Sequence, residues 1–279
     1  MKRLLGLFLQ CVVGAEMLIL ITAFPVLFKK LSFHFSDYLH AIYELNARII
    51  TFGDFMLADG INSVFPVIFY KYLNSMKMLG LGVVAAFVIA FLVSYLALLF
   101  FKNRIHILKN ILEILEAIPD LMIILLLQFM VIYIYKQTGI KLAQVVTIRE
   151  EAILLPVICL SVPISFYITK VIIHHIEEEL DKHYVILAKA KGLKFSYILN
   201  VHVLRNIVDS LFGTSKTIFW SMLSTLLVID YLFNMNGLLR VMLTAPDPFF
   251  IGCSLIFIPF FILFRLYEWV SFDRRKDVE

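Results

Sequence analysis

The sequence predicts an all-α, polytopic membrane protein with six transmembrane helices. Three observations carry that prediction. Of 279 residues, 61% are hydrophobic and the mean hydropathy is +0.91, whereas a soluble domain sits nearer half apolar. Six runs are long enough to cross a hydrocarbon core of about 30 Å, which takes roughly 20 apolar residues. Backbone amides in lipid must be bonded within their own segment, so each run reads as a helix.

The first run, Leu4–Phe28, is too long and unbroken for a cleaved leader. It ends at Phe28-Lys29-Lys30 with no small-x-small cleavage site, and reads as a retained span. Residues 29–77 form the largest extracytoplasmic loop. Its aromatic content (Phe33, Phe35, Tyr38, Tyr43, Phe52, Phe55, Phe65) predicts short packed helices rather than a disordered tether. The second span is Met78–Phe101, followed by a short basic loop, and the third is Ile111–Tyr135. A polar loop containing Gly139 leads to the fourth span, Ala152–Ile173. Residues 174–209 form a long polar insert before the fifth span, Leu211–Phe233. Asn236-Gly237 and Asp247-Pro248 signal turns before the sixth, Phe249–Trp269. The whole chain, 1–279, reads as one membrane domain.

Six spans put both termini on one side. Fourteen lysines and arginines fall on that side and nine on the other, which predicts cytoplasmic termini in the cell membrane. The net charge of +4 is spread over loops on both faces and marks no nucleic-acid surface. Cys11, Cys159 and Cys253 all lie in predicted spans, with neither disulfide nor metal spacing, and read as small apolar packing residues. Adjacent His174 and His175 point to different helix faces, so no metal site is expected. No G-x-x-x-x-G-K-S/T phosphate loop occurs. Gly213-Thr214-Ser215-Lys216 lacks the upstream glycine. If nucleotide powers this protein, hydrolysis takes place on another chain, and this chain binds no cofactor.

The insert is the most informative stretch. HHIEEELDKHYVILAKAK contains no proline or glycine and continues the fourth helix. Gly192 then breaks it, and Leu193, Phe195, Ile198, Leu199, Val201 and Val203 supply apolar side chains beyond the break. Helix, glycine turn, helix is the expectation. A short helix at such a tip can dock in a groove of a partner, or it can simply cap the bundle.

Tyr184–Asn206, YVILAKAKGLKFSYILNVHVLRN, resembles the coupling-loop signature of ABC importer permeases, and specifically the oligopeptide, dipeptide and nickel branch. That branch carries D-Y-V-R-T-A-R-A-K-G-L, about eight residues, then H-x-L-R-N. Tyr184, Val185, Ala188, Ala190, Lys191, Gly192 and Leu193 match, as do His202, Leu204, Arg205 and Asn206, without a gap. Pro156, Pro163 and Lys170 resemble the family's fourth span, and Ile118-Pro119 its third. Asp230, Phe233, Gly237 and Leu238 resemble the E-x-x-F-x-x-x-G-L after the fifth, and Asp247-Pro248 the D-Y-P before the sixth. Gly53-Asp54 faintly matches G-D-L-G. Departures are His183 for Asp, Ile186-Leu187 for Arg-Thr, and Ile173 for a second arginine. The resemblance implies a type I importer permease, with a coupling helix near Ile186–Leu193 seated in an ATPase groove. It implies a second, usually different permease, two ABC ATPase subunits carrying ATP and Mg, and an extracytoplasmic solute-binding protein. The transported solute would be a peptide or a related small solute, moved by alternating access.

Charges at bilayer depth mark pathway candidates. Glu16 lies near the middle of the first span, bonded to another helix or lining the pathway. Glu113, Glu116 and Asp120 fall at i, i+3 and i+7 of the third helix, with Pro119 as a kink. They form either a solvated vestibule paired with Lys102, Arg104 or Lys109, or a stripe guiding a cation. Asp230 sits near the outer end of the fifth span. Two other readings stay open: a permease-like subunit that senses or regulates, and a secondary transporter using Glu16 or Asp120 as a proton site.

Overall fold

A computed structural model describes residues 2–51, 55–57, 63–101, 104–146 and 152–276. Among them there is no strand, only an isolated bridge between Met56 and Ser63. In chain order the helices are α1 (Lys2–Ala23), α2 (Phe35–Ile50), α3 (Val64–Phe100), α4 (Ile105–Glu116), α5 (Asp120–Thr138) and α6 (Leu154–Leu180). They continue with α7 (His183–Ala190), α8 (Phe195–Tyr197), α9 (Leu204–Leu232), α10 (Leu238–Met242) and α11 (Pro246–Lys276). A 3-10 segment, Phe24–Leu31, follows α1, and a π segment, Ile198–Val203, joins α8 to α9. Six of the described helices are long and apolar enough to cross a membrane, as predicted.

Proline accounts for two differences in detail. The predicted third span, Ile111–Tyr135, is two helices. Proline has no N–H to continue the ladder and its ring collides with the preceding turn. α4 therefore stops at Glu116, Pro119 takes an extended conformation (φ −56°, ψ 136°), and α5 restarts at Asp120. Only α5 has the length of a span. Asp247-Pro248 is likewise not a turn. With Pro246 it occupies the first turn of α11, where a missing N–H costs nothing. The second span also begins earlier than predicted, because α3 runs unbroken for 37 residues from Val64.

The chain divides into two compact units. The first holds residues 1–74 and 236–279. Here α1 packs against α11, and a Cβ on Gly14 would lie 2.9 Å from the Phe257 ring. α2 is amphipathic. Phe35, Leu39, Tyr43 and Ile50 are exposed, while Asp37, His40, Glu44 and Arg48 line a cleft with Asp247. It folds back beside α1: the Tyr38 hydroxyl donates to the Leu20 carbonyl at 3.4 Å and Asn46 Nδ2 donates to Glu16 Oε2 at 3.3 Å. The predicted loop thus contains a helix, but of the aromatic residues expected to pack it Phe33, Phe35, Tyr43 and Phe65 are exposed and Phe55 is buried. The helix runs back to the middle of the first apolar segment.

The second unit, residues 75–235, is organised on α6. α4, α5, α7 and α9 all pack on it. Ile168, Ile172, Ile173 and Ile176 of α6 are buried, as are Ile218, Met222, Leu226 and Ile229 of α9. Gly82 of α3 leaves room for Leu160, whose Cδ2 lies 2.5 Å from where a Cβ would be. With no hydrophobic force between helices in lipid, such small-residue contacts let the backbones approach.

Candidate functional site

Helix α6 has 27 residues, about 40 Å at 1.5 Å per residue, so its last turns project beyond a 30 Å core. The expected continuous helix through residue 191 breaks at Asp181-Lys182. α7 then begins after an extended Lys182 (φ −72°, ψ 149°). Its C-terminus is a glycine-capped turn. Gly192 has φ +77°, its N–H donates to the Lys189 carbonyl at 3.0 Å, and the Leu193 N–H donates to the Ala188 carbonyl at 3.3 Å. That pair of bonds is the Schellman arrangement, for which the left-handed residue favours glycine. The predicted glycine turn is therefore present, for the predicted reason.

The motif residues separate into two groups. Val185 and Ala188 are buried, while Ile186 (53% exposed), Leu187 (57%), Ala190, Lys191 and Leu193 (39%) face outward. Arg205 is exposed as well. The other group turns inward. The Tyr184 hydroxyl donates to Glu179 Oε1 at 2.6 Å, and Asn206 Nδ2 donates to that same oxygen and to the Tyr184 hydroxyl, each at 3.0 Å. Lys182 Nζ lies 2.5 Å from Glu179 Oε2. The His202 ring sits between Tyr184 and Tyr197, with centroids 6.3 and 6.0 Å away. Burial, and then the carboxylate it donates to, hold the Tyr184 phenol above its ordinary pKa, so it stays a donor. Glu179 does not stand out in the sequence. It is the last of three successive glutamates, and only the fold distinguishes it, burying it to 6% exposure.

The acidic residues do not form one stripe. Glu113 and Glu116 close α4, and Asp120 opens α5 beyond the proline break. Glu116 and Asp120 nevertheless line one cleft of about 180 Å³ with Ile118, Pro163, Tyr167 and Ser221. Glu116 is paired with Lys170 of α6, not with the Lys102, Arg104 or Lys109 expected from sequence, and Lys109 pairs with Glu177. Lys102 lies outside the described residues. Asp120 Oδ2 accepts from Thr225 Oγ1 at 2.9 Å. The helix N-terminus favours that carboxylate. Of the other candidates, Glu16 is bonded to Asn46 within the first unit, and Asp230 is buried at 4% exposure near the end of α9. Neither lines this cleft. The Gly53-Asp54 likeness lies outside the described residues. No group of three metal-ligating side chains occurs among the described residues.

No curated protein matches the chain. Members of the family that it does match act within ABC importers, alongside other permease, ATPase and binding-protein components. Residues 104–275, from the start of α4 almost to the end of α11, match the family described as binding-protein-dependent transport system inner membrane component, and since this is more than half of its length, the chain belongs to that family of importer permeases.

Proposed function

We propose that this chain forms half of the translocation pathway of an ATP-driven importer for peptides or a related small solute, and that α7 is the helix through which two ATPase subunits drive it. One observation carries the reading. An eight-residue helix beyond the end of a span turns Ile186 and Leu187 outward while Val185 and Ala188 anchor it inside. A short helix anchored from behind that presents two adjacent apolar side chains at its exposed side suits a groove of a protein partner. The Ile186-Leu187 pair departs from the branch's Arg-Thr, so contact with the ATPase is apolar at the tip, with Lys189, Lys191 and Lys194 around it.

Within this reading the cleft bearing Glu116 and Asp120 belongs to the pathway, and both termini face the cytoplasm. The second permease is a different chain, and an extracytoplasmic binding protein delivers the solute. ATP and Mg bind only to the ATPase subunits. Nucleotide needs only to favour one conformation over the other to move the spans. The test is purification of the chain with its genomic neighbours after Ile186→Glu and Leu187→Glu are introduced together. Loss of ATPase subunits from an otherwise intact membrane complex supports the reading. Undiminished retention refutes it.

A further inference from the structure

The Glu179 carboxylate joins three helices. It lies on the last turn of α6, Tyr184 is the second residue of α7, and Asn206 is the third residue of α9. A buried carboxylate is costly unless donors replace its water. Here Oε1 accepts from the Tyr184 hydroxyl at 2.6 Å and from Asn206 Nδ2 at 3.0 Å, and Oε2 faces Lys182 Nζ at 2.5 Å. The Asn206 amide closes the triangle on the Tyr184 oxygen at 3.0 Å. The two-residue break at Asp181-Lys182 is spanned by these side chains, by the Lys182 N–H on the Glu179 carbonyl at 3.2 Å and by Lys189 Nζ on the Leu180 carbonyl at 3.5 Å. Of these ties only the Glu179 side chain also reaches α9.

We propose that Glu179 is the positioning residue that makes α7 and the inner ends of α6 and α9 move as one piece. The inference rests on α7 being the coupling helix and adds how its displacement reaches the pathway. The same two helices wall the cleft farther along, α6 through Pro163 and Tyr167, α9 through Thr217 and Ser221. Fastened at Glu179, a displacement of α7 swings both walls. Unfastened, α7 pivots at Asp181-Lys182 and the walls stay. Glu179 acts as acceptor for donors on two helices, which predicts that an amide oxygen substitutes for it in part and a methyl group does not.

The test uses the chain assembled with its ATPase subunits in proteoliposomes and needs no transported solute. Ser221→Cys places a thiol on the cleft, and maleimide labelling at that site is followed by mass spectrometry with and without ATP and vanadate. In the otherwise unmutated chain the nucleotide changes the labelling rate. Glu179→Ala keeps the ATPase subunits bound and hydrolysing, but its labelling response falls about tenfold, while Glu179→Gln stays within about threefold. Tyr184→Phe keeps the ring and removes one donor, and it lowers the response about threefold even if the alanine variant does not assemble. A full response in Glu179→Ala, or in Tyr184→Phe combined with Asn206→Ala, overturns the proposal and leaves the coupling reading standing. Failure of the unmutated chain to assemble with ATPase subunits, or to show any nucleotide response once assembled, overturns the coupling reading and this inference with it.

Discussion

Arg48 Nη1 reaches both carboxylate oxygens of Asp247, at 2.9 and 3.2 Å, across 199 positions of sequence. The Met56 N–H donates to the same carboxylate at 3.2 Å. One side chain at the start of α11 therefore ties down both α2 and the segment before α3. Asp247→Ala strands the Met56 backbone donor and leaves the Arg48 guanidinium only its 3.7 Å pairing with Glu44 on its own helix, and costs about 1–3 kcal/mol. Thermal unfolding of the detergent-solubilised chain should show it as a lower midpoint. A midpoint equal to that of the unmutated chain would mean that the bond contributes nothing to holding α2.

A methyl group placed on Gly192 would meet no atom within 4 Å, so the constraint there is conformational rather than steric. Its φ of +77° lies where an L-residue pays about 1–2 kcal/mol. Gly192→Val should insert normally yet loosen the end of α7, with faster amide exchange at Leu193. ATP hydrolysis by the assembled complex should then lose its coupling to transport. Normal coupling in that variant would count against α7 as the transmitting helix.

Gly82 and Leu160 are a matched pair. A methyl at Gly82 meets Leu160 Cδ2 at 2.5 Å, and Leu160 is 2% exposed, so it has little room to yield. Gly82→Ala should destabilise the second unit by about 1–3 kcal/mol through overpacking. Leu160→Ala alone should also destabilise by leaving a cavity. The double variant should recover part of the loss, and strictly additive losses would mean that the two sites do not touch.

Lys170 offsets the charge of Glu116, which leaves Asp120 as the cleft acid without an ion-pair partner among the described residues. In an uptake assay with paired cationic and neutral solutes, Asp120→Asn should lower cation uptake more than Glu116→Gln does. Lys170→Met should shift preference toward the cation. Equal effects on both solutes would remove charge selection from the cleft.

Tyr184 carries a pKa raised above its ordinary value by burial and by Glu179. A group raised on folding adds stability below its unfolded pKa, about 10 for tyrosine, and loses it as pH climbs through the folded value. The stability difference between the unmutated chain and Tyr184→Phe should therefore be constant from pH 6 to about 9 and shrink only above about 10. A difference that vanishes near neutrality would show that the phenol is not the donor to Glu179.

The spans were legible because apolar length is a one-dimensional property. Leu154 onward reads as a bilayer helix whatever surrounds it. Gly192 was legible too, since a left-handed helix end is written in a single residue. The third span misled because Ile111–Tyr135 is apolar throughout, and Pro119 reads as easily as a kink as it does as a break. The acids at 113, 116 and 120 share a face only on a continuous helix, and α4 and α5 are separate.

Sequence alone determined that this chain lives in a bilayer, crosses it six times and carries a helix–glycine–helix insert, because hydropathy, helix period and glycine φ are local quantities. Only the tertiary structure decided that Glu179, rather than its neighbours Glu177 and Glu178, receives Tyr184 and Asn206, and that Lys170 answers Glu116. Those pairings depend on which faces of α4, α6, α7 and α9 meet. A run of three glutamates gives no sign of which one the packing will bury.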